Sequence, residues 1–308
     1  MNQSLKGYSP LTRVKPIVSP YLLAGIGIIT ISFSSILIKW TTAPPAVIGM
    51  YRLLFSCVFL LPGLLKSRET LMQIRFKDVM LLLLSGIFLG LHFLFWISSL
   101  DETTVASSMI ITALSPIFVM IGAYFVFRER FSKIQILSMT LALFGTIIVA
   151  YGDIGKSTNQ LIGDISSLIG TAAVSIYMMF GQAVRTKIPS TVYNIVVFFI
   201  AGLELSIFTL YKHISFIGYS ARDWDIFLLL AIVPTILGHG LFNWLLRYLP
   251  ASTISMTTLG EPIGAIVLAY FLLKQAITWW QIIGGIFCIG GVYIFLKIKQ
   301  KQFSKASI

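Results

Sequence analysis

The chain has 308 residues, 57% of them hydrophobic and only 11% charged, with a mean hydropathy of +0.90. A soluble domain carries roughly 25% charged residues, so this composition cannot cover a water-facing surface and excludes a soluble globular fold. The formal charge of +12 would suit nucleic acid. The basic residues are nevertheless scattered among short loops with no aromatic–basic face, so no nucleic-acid partner is expected.

Taken in chain order, residues 1–20 form a polar segment with Lys6, Arg13 and Lys15. The apolar run after it continues to Lys39 and Trp40 with no small-residue cleavage site, so it reads as a retained span rather than a signal peptide. A membrane helix needs about 20 mostly apolar residues. Ten candidate spans follow, at 21–40, 46–65, 79–98, 104–126, 134–151, 162–183, 191–211, 224–246, 251–273 and 278–297, before a solvated tail at 298–308. Turn formers mark several connections, as at Ala43-Pro44-Pro45, Tyr151-Gly152-Asp153 and Leu249-Pro250. The two cysteines, Cys57 and Cys288, lie inside apolar runs and read as small buried hydrophobes.

Orientation follows from the bias of Lys and Arg toward the cytoplasmic side. With the N-terminus inside, the inner loops hold most of the basic residues, among them Arg75, Lys77, Arg128, Arg130, Lys133, Arg185, Lys187 and Arg247. The outer loops hold only Lys156, Lys212, Arg222 and Lys274, with Lys39 at an outer edge. Both termini are therefore expected in the cytoplasm, in a cell (inner or plasma) membrane. Trp40, Trp224, Trp279 and Trp280 fall at the outer boundaries, where indoles settle.

The fourth and fifth spans match the ninth and tenth at one fixed offset. Pro116 aligns with Pro262, Ala123-Tyr124-Phe125 with Ala269-Tyr270-Phe271, Gln135-Ile136 with Gln281-Ile282, and Gly145 with Gly291. Each half holds an odd number of spans, so two homologous halves in series face opposite ways. The basic loop Arg128-Glu129-Arg130 lies inside, and its counterpart, Lys274-Gln275, lies outside with most of the charge lost. The expected fold is thus an all-α membrane protein with ten transmembrane helices in two inverted five-helix repeats, 21–151 and 162–297, around a central cavity. Inverted repeats are characteristic of secondary transporters, which exchange the conformations of two similar halves to open on alternate sides.

Two stretches carry a family resemblance. Ala106-Ser107-Ser108, Leu114-Ser115-Pro116 and Phe127-Arg128-Glu129-Arg130 in the first half resemble the signature of EamA-type transporters of the drug/metabolite transporter superfamily. So do Leu249-Pro250-Ala251-Ser252, Leu259-Gly260-Glu261-Pro262 and Leu272-Leu273-Lys274-Gln275 in the second, with Arg52 and Gly163-Asp164. The resemblance covers roughly residues 20–297. It implies a cavity between the halves, alternating access, and a substrate that is a small metabolite such as an amino acid or a drug, most often exported.

A charge deep in a bilayer costs several kcal/mol, about 2.5–3.5 on insertion scales, so the few ionisable groups in the spans are the candidates for chemistry. Glu261 lies about ten residues into its span, about 15 Å deep at about 1.5 Å per residue. Pro262 follows and frees a backbone carbonyl one turn earlier. A carboxylate beside a broken helix suits a substrate cation or a proton. Its first-half counterpart is Ser115. Arg52 and Glu204 sit at similar depths, which permits an ion pair acting as a clamp, an outer gate or an anion anchor. His92 and Trp96 share one helix face, His239 and Asn243 another. With Tyr177 and Gln182 they are polar groups a cavity could use. Pro116 and Pro262 are the expected structural or gating positions with Glu204. The glycines Gly86, Gly90, Gly170, Gly238, Gly284, Gly285, Gly290 and Gly291 are expected to let helices pack closely in lipid.

No His-Glu-x-x-His, nucleophile elbow, P-loop or metal-ligand cluster occurs in the sequence, so neither an enzyme nor an ATP-driven pump is expected, and no cofactor or metal. A channel would show rings of matched polar residues rather than asymmetric single ones. The remaining readings are an exporter working by alternating access, with protons as a candidate coupling partner, an importer or exchanger of a small nutrient, and a scaffold. Either a monomer or a homodimer fits.

Overall fold

The computed structural model describes residues 18–67, 74–103, 105–151, 160–274 and 276–306. Most of the expected polar segment 1–20, the turn expected at Gly152-Asp153 with Lys156, and Gln275 lie outside the described residues. Every regular element among the described residues is helical. The helices are α1 (Pro20–Lys39), α2 (Pro45–Lys66), α3 (Phe76–Glu102), α4 (Val105–Thr112), α5 (Ser115–Phe127), α6 (Lys133–Tyr151), α7 (Gln160–Arg185) and α8 (Ser190–Tyr211). They continue with α9 (Ala221–Leu230), a π-helical stretch Ala231–Gly240, α10 (Leu241–Leu245), α11 (Ala251–Thr258), α12 (Glu261–Leu273) and α13 (Trp279–Ala306). Among the described residues, nine helical segments are long and apolar enough to cross a membrane, and Lys133–Val149 is a shorter apolar helix. That shorter one falls where the span 134–151 is expected.

Hydropathy places the elements well and their ends less well. The spans expected at 104–126 and 251–273 each contain a pair of half-helices, α4/α5 and α11/α12, broken just before Pro116 and Pro262. The last helix runs to Ala306, so most of the segment expected as a solvated tail is helical. Lys299 there is only 6% exposed. Its ammonium pairs with Glu129, which also accepts a hydrogen bond from Ser252 at 2.8 Å. The span expected at 224–246 contains the π-helical stretch around Pro234. Proline removes one donor, and the wider register lets Thr235 Oγ1 donate five residues back to Leu230 at 2.7 Å.

In lipid no hydrophobic force draws helices together, so contact rests on close packing and hydrogen bonds. The α6–α13 contact illustrates this. A β-carbon on Gly284 would lie 2.5 Å from the carbonyl oxygen of Gly145, and one on Gly291 would lie 2.5 Å from that of Ser138. Backbone therefore rests on backbone. Gly86, Gly90, Gly170 and Gly238 also sit against neighbouring chain, as expected, whereas Gly285 and Gly290 have nothing within 4 Å of where a β-carbon would stand. One large core joins α1, α2, α3, α7, α8 and α9, and a smaller one joins α5, α6, α11 and α13 around Met120, Ala142, Met256 and Phe295.

Local structure repeats at the sequence offset. Both α4 and α11 have eight residues, and both α5 and α12 have thirteen. Arg128 and Lys274 follow those longer helices with φ of 55° and 57°. Tyr124–Phe125 and Tyr270–Phe271 make edge contacts at the same 5.2 Å. Ser132 and Gln135 exchange reciprocal capping bonds before α6, and Thr278 and Gln281 do so before α13.

Candidate functional site

The two helix breaks face each other across a small pocket. Its lining comes from α3 (Trp96), the α4 end (Met109, Thr112, Ala113), the α11 end (Thr258, Leu259) and the α12 start (Glu261, Pro262). Most of this surface is apolar, with one carboxylate, two threonines and one indole. That composition fits a ligand pocket, in which a few polar groups set orientation. The backbone of Glu261 abuts α1, where the Ser32 hydroxyl lies 3.1 Å from its carbonyl oxygen and 2.7 Å from that of Ile28.

Behind the pocket lies Arg52 of α2, fully buried. Its Nε donates to Thr235 Oγ1 at 3.0 Å and its Nη1 to Ser34 Oγ at 3.2 Å, while the guanidinium stacks 4.2 Å from the Phe93 ring centre. Nη2 has no hydrogen-bond partner. Arg52 is within electrostatic reach of Glu261. Lys187–Asp78 and Lys299–Glu129 are ion pairs in contact, whereas Arg52 and Glu261 attract across a gap. Two opposite charges so placed partly offset each other's desolvation. The π-helical stretch supplies Thr235 to this centre, so the irregular helix positions a partner of Arg52.

The ion pair that similar depth permits between Arg52 and Glu204 is not formed. Glu204 of α8 is half-buried, its Oε2 lies against Gly90 of α3, and that oxygen has no hydrogen-bond partner. Similar depth did not suffice, because the two side chains leave their helices toward different neighbours.

The histidines join the charged centre. His92 Nδ1 bonds the Gly170 carbonyl at 2.9 Å, and its ring stacks on Trp96 with centroids 5.8 Å apart. His239 lies 6.4 Å from His92 and edge-on to Phe93 at 5.3 Å. Both feel the charge of Arg52. Asn243, expected to work on the same face as His239, belongs to a different cluster. Tyr177 donates to its Oδ1 at 2.6 Å, its Nδ2 donates to Asn194 at 2.9 Å, and its carbonyl accepts from Arg185 Nε at 2.6 Å. Gln182 accepts from the Ala251 amide at 2.6 Å. Tyr177 and Asn243 therefore spend their polar atoms on joining α7, α8 and α10.

Sequence reasoning passed over several residues. Ser34 and Thr235 hold Arg52, Thr112 and Thr258 line the pocket, and Arg185 with Asn194 anchors the second network. Only the threonines carried a signal, since each stands four residues before a helix-breaking proline. Among the described residues, no group of three metal-ligating side chains converges.

The sequence model of the EamA-like transporter family matches residues 18–151 and again 161–297. The chain is 26% identical over 260 residues to YetK of Bacillus subtilis, named an uncharacterized transporter, covering 82% of this chain and 78% of that one. It is 25% identical over 229 residues to YxxF of the same organism, also an uncharacterized transporter, with coverage of 73% and 72%. A protein of Escherichia coli named a probable amino-acid metabolite efflux pump is 24% identical over 212 residues, covering 66% and 70%. One solved crystal structure superposes with a TM-score of 0.75 at 13% identity over 91% of this chain and 98% of its own, a likeness of fold alone.

Proposed function

Because the chain belongs to the EamA-like transporter family, we propose that it is a secondary transporter that exports a small amino-acid-like metabolite from the cell by alternating access. In this reading the two family matches are five-helix halves of opposite orientation. The pocket between their broken helices is the substrate site, and the chain lies in the cell membrane with both ends in the cytoplasm. The repeated half-helix lengths and caps support two like halves, and the Lys/Arg bias supports their inversion. The efflux direction draws on the name of the Escherichia coli relative.

The observation that carries the reading is Glu261 in the wall of the pocket, with its neutralising Arg52 out of contact behind it. A carboxylate whose counter-ion stands off can exchange that long-range partner for a proton or a substrate cation. Glu261 is the coupling residue in this account. Arg52 from α2 is the ionisable group whose charge reaches it, and His92 from α3 and His239 from the π-helical stretch feel that same Arg52. The test is flux in proteoliposomes loaded with a labelled amino-acid mixture, with and without a pH gradient. Saturable efflux that responds to the gradient in the natural protein and not in Glu261→Gln fits the proposal. A gradient response that survives intact in the folded variant refutes Glu261 as the coupling residue, and no saturable flux of any solute refutes transport.

A further inference from the structure

The pocket's polar groups share a feature that its amino-acid types do not reveal. A helical carbonyl is normally capped by the amide four residues on, and proline has no amide hydrogen. Pro116 therefore deprives the Thr112 carbonyl, and Pro262 deprives the Thr258 carbonyl. The turn bonds at the breaks run instead to Met109, Ile111 and Leu114, and to Thr257 and Gly260. Thr112 and Thr258 are the two threonines of the pocket lining. Their hydroxyl protons are already spent, on Ser108 and Ser255 carbonyls one turn back, each at 2.8 Å. Only oxygen lone pairs remain. Both residues also end short helices, where the backbone dipole is negative.

The acceptors are thus the Glu261 carboxylate, two unclaimed carbonyls and two hydroxyl oxygens. Among the lining side chains the Trp96 indole is the remaining donor, and its face can take a cation. Arg52, the positive group nearby, is not part of the lining, and its Nε, Nη1 and guanidinium face are held by Thr235, Ser34 and Phe93. We propose that the acceptor-only mouth formed by Glu261, Thr112 and Thr258 binds a primary ammonium group of the substrate, with Trp96 and the apolar walls holding its carbon skeleton. An ammonium offers three N–H donors and no acceptor, the complement of this set. A bare metal ion would leave the indole and the Met109, Leu259 and Pro262 walls unused. This inference rests on reading the pocket as the substrate site.

The probe is labelled 2-phenylethylamine, a primary amine with a ring to meet Trp96, titrated by equilibrium dialysis onto the full chain in lipid nanodiscs. Competitors are its N-acetyl and N,N,N-trimethyl derivatives, phenylacetate and sodium chloride. Saturable binding is expected, with no competition from the N-acetyl form, phenylacetate or sodium. The trimethyl form, which keeps the charge and loses every N–H, should compete about tenfold less well, and Glu261→Gln should bind about tenfold or more weakly. The double variant Thr112→Val with Thr258→Val keeps the side-chain shape and should bind severalfold more weakly. The proposal is overturned if the probe does not bind saturably, if the N-acetyl or trimethyl form competes equally, or if folded Glu261→Gln binds normally. Flux in the same preparation separates the two readings. Saturable transport of a solute without an amine, together with no amine binding, removes the ammonium site and leaves the transporter. Amine binding without flux of any solute does the reverse.

Discussion

The two helix breaks have the same backbone and different chemistry. At the first, Ser115 precedes Pro116, and its hydroxyl bonds Ser175 of α7 at 3.0 Å. At the second, Glu261 precedes Pro262, lines the pocket and feels Arg52. The prolines and the lengths of the half-helices are common to both, so the break is a property of the fold. The ionisable group occurs once, so the chemistry belongs to one position. A duplicated scaffold can keep its architecture in both copies while placing its costly charge in only one.

That contrast can be broken by experiment. The largest effect is expected from Arg52→Met, which strands Glu261 without a cation. Losing one partner of a buried charge pair costs about 3–5 kcal/mol, read as a loss of unfolding free energy in detergent, and adding Glu261→Gln should restore part of it. If the double variant is no more stable than the single one, the two charges are not coupled. Next, Glu261→Gln should lower pH-driven efflux by about 10- to 100-fold, the worth of a charged hydrogen-bond partner, whereas Ser115→Ala should change it less than about twofold. Equal effects at the two breaks would erase the distinction.

The packing of the two halves offers a smaller effect. Gly291→Val drives a side chain into the backbone of α6 and should cost about 1–3 kcal/mol, measured as a lower thermal midpoint. Gly290→Val, with nothing within 4 Å of its β-carbon position, should be near neutral. The smallest effect is expected from Tyr177→Phe. It removes the bond to Asn243 and should cost about 0.5–1.5 kcal/mol, with flux per folded molecule reduced less than by Glu261→Gln.

Much of the architecture was legible in the sequence because lipid imposes it. Long apolar runs marked the helices, and Pro262, with which Pro116 aligns, marked the second break. Contacts between distant segments were far less legible. Depth along a helix suggested Glu204 as the partner of Arg52, but rotation about the helix axis decides which neighbour a side chain meets. The π-helical stretch was also hidden, and it sends His239 to the charged centre while Asn243 joins Tyr177 and Asn194. Lys299 read as part of a solvated tail because its partner Glu129 lies far away in the chain. Thr112 and Thr258 could have been found, since a proline four residues later identifies the carbonyl it releases.

The relation between the halves is the claim on which the transport cycle depends. It is tested most directly by single cysteines at the two equivalent capping positions, Ser132→Cys and Thr278→Cys, in a chain with Cys57 and Cys288 changed to Ala. A membrane-impermeant maleimide should label the cysteine at 132 only from the cytoplasmic side and the cysteine at 278 only from the opposite side. Labelling of both from the same side would contradict the inverted arrangement.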